Sequence, residues 1–213
     1  MREIIFDTET TGLDPRTGHR LVEIGCIELI DRRESGRTFH AYFHPERDMP
    51  AEAEAVHGLS IQFLSDKPLF AARVDELLDF LGDAPMVAHN AAFDFGFVNA
   101  ELARVGRPPL DMARMCCTVQ MARKLHPGAK HSLDALCTRY GIDRSHRVKH
   151  GALLDAELLH QSDPSPPPAR FANRARTVQP RPNWRVMQNS SPRSINPCGT
   201  IVPDRGSPAI PWT

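Results

Sequence analysis

The chain has 213 residues, 41% of them hydrophobic, which suits one domain, or one domain with a tail, around a sizeable core. No apolar run approaches the roughly 18 residues of a membrane-spanning helix. The formal net charge of +0 hides an asymmetry: residues 1–161 hold 19 Lys and Arg against 24 Asp and Glu, and residues 162–213 hold 7 Arg against 2 Asp. The front part is therefore not a strongly basic nucleic-acid binder of the counterion-release kind. The chain opens directly in a strand, with no signal-peptide pattern. Its five Cys lack metal-site spacing and fit reduced thiols. Both features lead us to expect a cytoplasmic protein.

In chain order, Ile4, Ile5 and Phe6 predict a buried strand that ends in Asp7, Thr8 and Glu9 and then a Thr-Thr-Gly turn. Arg20 to Ile30 predicts a long strand and Arg37 to Phe43 a third, joined by a hairpin-like connection over Asp31–Gly36. Ala51 to Val56 predicts a short helix that stops at His57-Gly58. Val74, Leu77, Leu78 and Leu81 give helical spacing to a segment from Phe70 to Leu81. Pro85 to His89 reads as a short buried strand. Asn90 then stands as N-cap to a helix with Phe93, Phe97, Val98 and Leu102 as its apolar stripe. Thr118 to Leu125, Ser132 to Tyr140 and Gly151 to His160 predict three further helices. A strand meander followed by alternating helix and strand implies an α/β domain with a mixed central sheet. From Ser162 onward periodicity stops; 11 of the chain's 19 prolines lie there, and the segment reads as a disordered Pro/Arg-rich tail.

Chemistry concentrates at three places. Asp7 and Glu9 alternate on a strand, so both point to one face and repel each other unless a cation with a preference for oxygen ligands lies between them. Asp94 lies about one turn into a helix that follows a buried strand, a junction where α/β sheets place their sites. His150 and Asp155 are separated by about 140° net around a helix, so they can meet only if His150 belongs to the loop before it, with Gly151 loosening the entry. Each motif alone also fits a structural role. Together, Asp7, Glu9, Asp94, Asp155 and His150 suit two divalent metals with a base beside them, an arrangement that cleaves phosphodiesters.

D-T-E-T-T-G, then H-N-A-A-F-D, then H-G-A-L-L-D resembles the DEDDh family of 3′→5′ exonucleases, and within it the proofreading epsilon subunits of bacterial DNA polymerase III. The resemblance covers about residues 2–161, read as an exonuclease domain over 1–161 with a tail over 162–213. It implies a ribonuclease-H-like fold, two ions of Mg²⁺ or Mn²⁺, and a single-stranded or frayed DNA 3′ end as substrate. It further implies that Asp7 bridges both metals and that Glu9 and Asp155 hold the metal that activates water. Asp94 would serve the second metal, and His150 would be the general base. Asp7, Glu9, Asp155, Thr8, Thr10, Leu13, Val56, His57 and Asn90 would contact the terminal nucleotides. The polymerase alpha subunit and the sliding clamp are the partners the family implies.

The sequence departs from the family after Gln161. The closing helix runs into Ser162-Asp163-Pro164, no segment for docking on polymerase or clamp is recognisable in 162–213, and the change in composition fits an out-of-frame reading. A helix cut short there would fray close to Asp155. The same motifs also serve RNA-trimming enzymes such as oligoribonuclease and ribonuclease T. A non-catalytic ribonuclease-H-like interaction module would be expected to lack a ligand, and all five positions are intact.

Overall fold

The computed structural model describes residues 1–145, 147 and 149–163. The expected tail beyond Asp163, its out-of-frame origin and its docking function lie outside the described residues. The centre of the fold is β1 (Arg2–Thr10), whose Ile4, Ile5 and Phe6 are wholly buried because both faces of the sheet are covered. The sheet has five strands in the order β3-β2-β1-β4-β5, with β2 at Leu21–Ile30, β3 at Arg33–Tyr42, β4 at Met86–Ala88 and β5 at Met115–Cys117. β1, β2 and β3 form an antiparallel meander, and β4 and β5 add in parallel on the other side of β1. The expected mixed sheet is thus present.

Seven α-helices cover it among the described residues: α1 (Ala51–His57), α2 (Ile61–Leu64), α3 (Val74–Leu81), α4 (Ala91–Arg104), α5 (Thr118–Leu125), α6 (Leu133–Tyr140) and α7 (Ala152–Ser162). The period-2 alternation of β1 separates two cores. Ile4 and Phe6 face one that includes Phe39, Phe43, Leu77, Phe95 and Leu102. There Phe6 and Phe95 meet edge to face, with ring centroids 5.7 Å apart. Ile5 faces the other core, with Ile27, Val87, Leu133, Leu158 and Leu159. None of the helices among the described residues is long and apolar enough to cross a membrane.

Four local readings need correction. The β2–β3 connection is much tighter than Asp31–Gly36: Asp31 and Arg32 form the turn with φ of 50° and 66°, and β3 begins at Arg33. The left-handed pair suits the twist of a hairpin, but Asp-Arg lacks the glycine that usually advertises it. Gly36, at φ 84°, lies where the β2–β3 register shifts, so the sequence signal for a turn marked an irregularity inside β3. The segment from Phe70 to Leu81 is a 3₁₀ turn (Phe70–Ala72) followed by α3, not one helix. Strand β5 and helix α2 were not predicted; at three and four residues they are too short to show a period.

The last helix does not fray at Gln161. α7 continues through Ser162, which is 1% exposed, and Asp163 Oδ2 accepts a hydrogen bond from Arg32 Nη2 at 2.6 Å. The tight hairpin turn therefore also holds the end of α7.

Candidate active site

β1 delivers its acidic side chains to one layer and a hydroxyl to the other. Asp7 and Glu9 lie on the face of Ile5, towards α7, whereas Thr8 lies on the face of Phe6, towards α4. Asp94, in the first turn of α4, is 2% exposed and accepts a hydrogen bond from Thr8 Oγ1 at 2.7 Å. Asp155, in the first turn of α7, is 3% exposed. Carboxylates from two helices on opposite faces thus converge at the carboxyl end of one strand.

Gly25 makes this approach possible. It pairs with Asp7 across β1 and β2, and a Cβ there would lie 2.3 Å from the backbone N of Leu153 and 2.4 Å from its Cα. Only a residue without a side chain lets the first turn of α7 approach the sheet beside Asp7.

His150 lies just before α7, with Gly151 in extended backbone at the N-cap. Its backbone N donates to Val56 O at 3.3 Å, which ties the loop to α1. Its Nδ1 lies 3.1 Å from Asp155 Oδ2. Glu9, His150 and Asp155 each offer one ligand atom, all within 4.8 Å of one another.

The electrostatics are those of a site short of positive charge. Burial, followed by repulsion from Asp94, Glu9 and Asp155, pushes Asp7 well above the usual carboxylate range. Burial and the charges of Asp155, Glu23 and Asp94 push Glu9 up to about 8, against a smaller downward pull from Arg147. Burial lifts Asp94 to about 7 against its hydrogen bonds with Thr8. Asp155 goes the other way: burial is outweighed by hydrogen bonds from His150 and Arg147, and the net shift is downward. Oxygen donors in this number, desolvated and mutually repelling, fit hard divalent cations.

The expected nucleotide contacts divide. Leu13 is 86% exposed and Val56 half exposed, both open to a ligand. His57 is buried; its Nδ1 accepts from Leu59 N at 3.0 Å, which braces the turn after α1, while its Nε2 has no hydrogen-bond partner. Asn90 is exposed at the start of α4 with φ 66° and makes no side-chain cap bond, so the expected cap position holds but the capping interaction does not form. Thr8 and Thr10 are buried, and their hydroxyls are engaged internally, Thr8 on Asp94 and Thr10 on Gly12 O at 2.6 Å. Their side chains shape the site from behind.

Two participants, Gly25 and Arg147, went unread in the sequence, and a third was read as a plain strand residue. The third is Glu23, 2% exposed, which faces Glu9 across β1 and β2 and lies 2.7 Å from His40 Nε2. The one available signal for Glu23 was its acidic type in a strand otherwise apolar over Leu21–Cys26.

A protein-family model described as Exonuclease matches residues 4–161. The chain is 53% identical over 162 residues to the DNA polymerase III subunit epsilon of Rickettsia conorii, across 75% of this chain and 70% of that one. It is 46% identical over 165 residues to the subunit of the same name from Escherichia coli K12, across 74% and 68%. Among solved structures it resembles exonuclease X in complex with 5′ overhanging duplex DNA, at a TM-score of 0.56 and 26% identity over 75% of this chain and 87% of that one. The fold also matches exonuclease I, at a TM-score of 0.64 and 18% identity, over 75% and 39%. With its acidic residues drawn from β1, α4 and α7 onto one strand end, and with relatives above half identity over most of its length, the chain belongs to the exonuclease family.

Proposed function

We propose that the chain is a 3′→5′ exonuclease of the DNA polymerase III epsilon type, which removes mismatched 3′-terminal nucleotides with the help of two divalent ions, Mg²⁺ or Mn²⁺. The observation that carries this reading is the convergence of Asp7, Glu9, Asp94, Asp155 and His150 at the end of β1. When bound, the ions would supply an acidified water and positive charge against the leaving oxygen. Asp7, at the end of β1 beside Gly25, would be shared by both ions. Glu9 and Asp155 would hold one ion, and Asp94, oriented by Thr8, would serve the other. His150 has Nδ1 turned to Asp155, so it takes the proton of the attacking water on Nε2. Water adds to the terminal phosphodiester, the ester bond to the penultimate sugar oxygen breaks, and a nucleoside 5′-monophosphate leaves a strand shortened by one.

Leu13 and Val56 offer an apolar surface to the terminal base, and the buried His57 at the end of α1 backs it. The exonuclease unit is residues 1–161, and its setting is the bacterial cytoplasm. The relatives' name assigns them to DNA polymerase III, and we take the polymerase to be the partner that delivers the primer end.

The test uses 3′-labelled primers, matched and mismatched, alongside single-stranded DNA and RNA, with Mg²⁺, Mn²⁺ or EDTA. We expect metal-dependent release of mononucleotides from DNA 3′ ends, faster at mismatches, and no activity in Asp7→Ala. Faster release from RNA than from DNA would favour an RNA-trimming enzyme. Full turnover by Asp7→Ala in saturating Mg²⁺ would sink the site assignment.

A further inference from the structure

Arg147 is a cation inside the acidic cluster that none of the motifs includes. It lies between α6 and α7 with its side chain 8% exposed. Nε and Nη2 grip the two oxygens of Asp155 at 2.5 and 2.6 Å, a forked pairing that a guanidinium makes and an ammonium does not. Nη1 donates to Asp134 Oδ1 at 2.9 Å, and Nη2 lies 2.8 Å from His150 Nδ1. The fork engages both oxygens of the carboxylate that should ligate a metal, and it also contacts the proposed base.

The contacts around His150 are mutually exclusive. Nδ1 can accept an N–H from Arg147 or donate its own to Asp155 at 3.1 Å, but not both. Arg147, held against His150 by its grip on Asp155, therefore competes with the Asp155–His150 bond. Space for the side chain to withdraw is at hand: a cleft of about 300 Å³ is lined by Asp134, Arg144, Arg147, Lys149 and His150. Asp134 lies on its margin with a side chain 47% exposed and already holds Nη1.

We propose that Arg147 is a displaceable counter-ion. It holds Asp155 and His150 in position while divalent ions are absent, and metal loading moves it off Asp155 towards Asp134, which frees His150 Nδ1. It is a positioning residue that acts through Asp155 and His150. This rests on the metal-dependent reading above.

The test is calorimetric titration of Mn²⁺ into wild type, Arg147→Met and Arg147→Lys at fixed pH and salt without DNA, paired with thermal melts in EDTA. Removal of a competing cation should tighten Mn²⁺ binding in Arg147→Met by about 5- to 150-fold, the ordinary span of coupling between two ligands. The metal-free melting temperature should fall, because Asp155 loses its partner, and Mn²⁺ should restore it. Arg147→Lys, which keeps the charge without the fork, should bind Mn²⁺ with intermediate affinity. A merely bracing arginine predicts the opposite sign, since a loosened Asp155 would bind metal more weakly. Saturable wild-type binding with equal or weaker affinity in Arg147→Met overturns this proposal alone. Should Arg147→Met fail to fold without metal, the order of wild type and Arg147→Lys decides by the same criterion. Absence of saturable Mn²⁺ binding by wild type overturns the metal reading as well.

Discussion

Glu9 and Asp94, raised to about 8 and about 7, hold protons in the folded metal-free protein over a pH range where the unfolded chain has released them. By linkage, a folded state that binds more protons than the unfolded one loses stability as pH rises. The metal-free protein should therefore be most stable near pH 5 and should weaken through about pH 8, the range between ordinary carboxylate values and the raised ones. Asp155, shifted downward, stays ionised throughout and contributes no slope there. Denaturant midpoints in EDTA at several pH values test the sign; a midpoint that rises over this range would contradict it. Mn²⁺ affinity should climb over the same range, because each bound ion must displace those protons. At the same scale, Thr8→Val removes the hydroxyl from Asp94 with little change in shape. Loss of a group that orients a ligand typically costs about 10- to 100-fold in metal affinity or activity, and steady-state kinetics at several Mn²⁺ concentrations will separate the two. The residues that converge on the end of β1 were legible in the sequence because Asp7, Glu9, Asp94, His150 and Asp155 carry their chemistry in their side chains. Thr8 was not, since its role depends on what lies across from it: a threonine that faces a nucleotide and one that holds an aspartate have the same sequence.

Helix α7 reaches its place through contacts that local pattern does not reveal. Gly25→Ala should push the backbone of Leu153 away from β2, because its Cβ would fall 2.3 Å from an amide nitrogen that cannot swing aside. Overpacking of this kind costs about 1–3 kcal/mol, and here the displaced element carries Asp155. We expect a lower melting temperature together with lost Mn²⁺ binding; a variant with wild-type affinity would show that α7 can shift without moving Asp155. The long elements were legible from periodicity, as with the stripe of Phe97, Val98 and Leu102 on α4. Those missed were short or irregular. β5 is three residues whose partner is β4 rather than a sequence neighbour, and the Asp31-Arg32 turn adopts φ values that its residue types do not announce. Glycine signals were ambiguous for the same reason: Gly36 serves an irregular strand and Gly25 an interlayer contact, and neither marks the turn that a glycine by default suggests.

Taken whole, residues 1–161 carry five more acidic than basic side chains, and buried carboxylates crowd the end of β1. Such a surface gains little from counterion release, so the salt dependence of hydrolysis should be shallow. The logarithm of kcat/KM for single-stranded DNA against the logarithm of salt concentration should have a slope well short of the roughly −0.7 per phosphate contact of an extended basic groove. A steep slope would reveal a cationic track that the described residues do not display.

Asp94 and Asp155 belong to opposite layers, and the sheet between them joins the two. Neither layer can assemble the acidic cluster by itself. A copy that loosens on either face, through heat, mutation or incomplete folding, loses a ligand while much of its fold is still intact. For an enzyme that degrades the polymer it is meant to protect, the connection means that damage silences hydrolysis before it can become indiscriminate. Catalytic competence thereby acts as a checkpoint on the integrity of the fold.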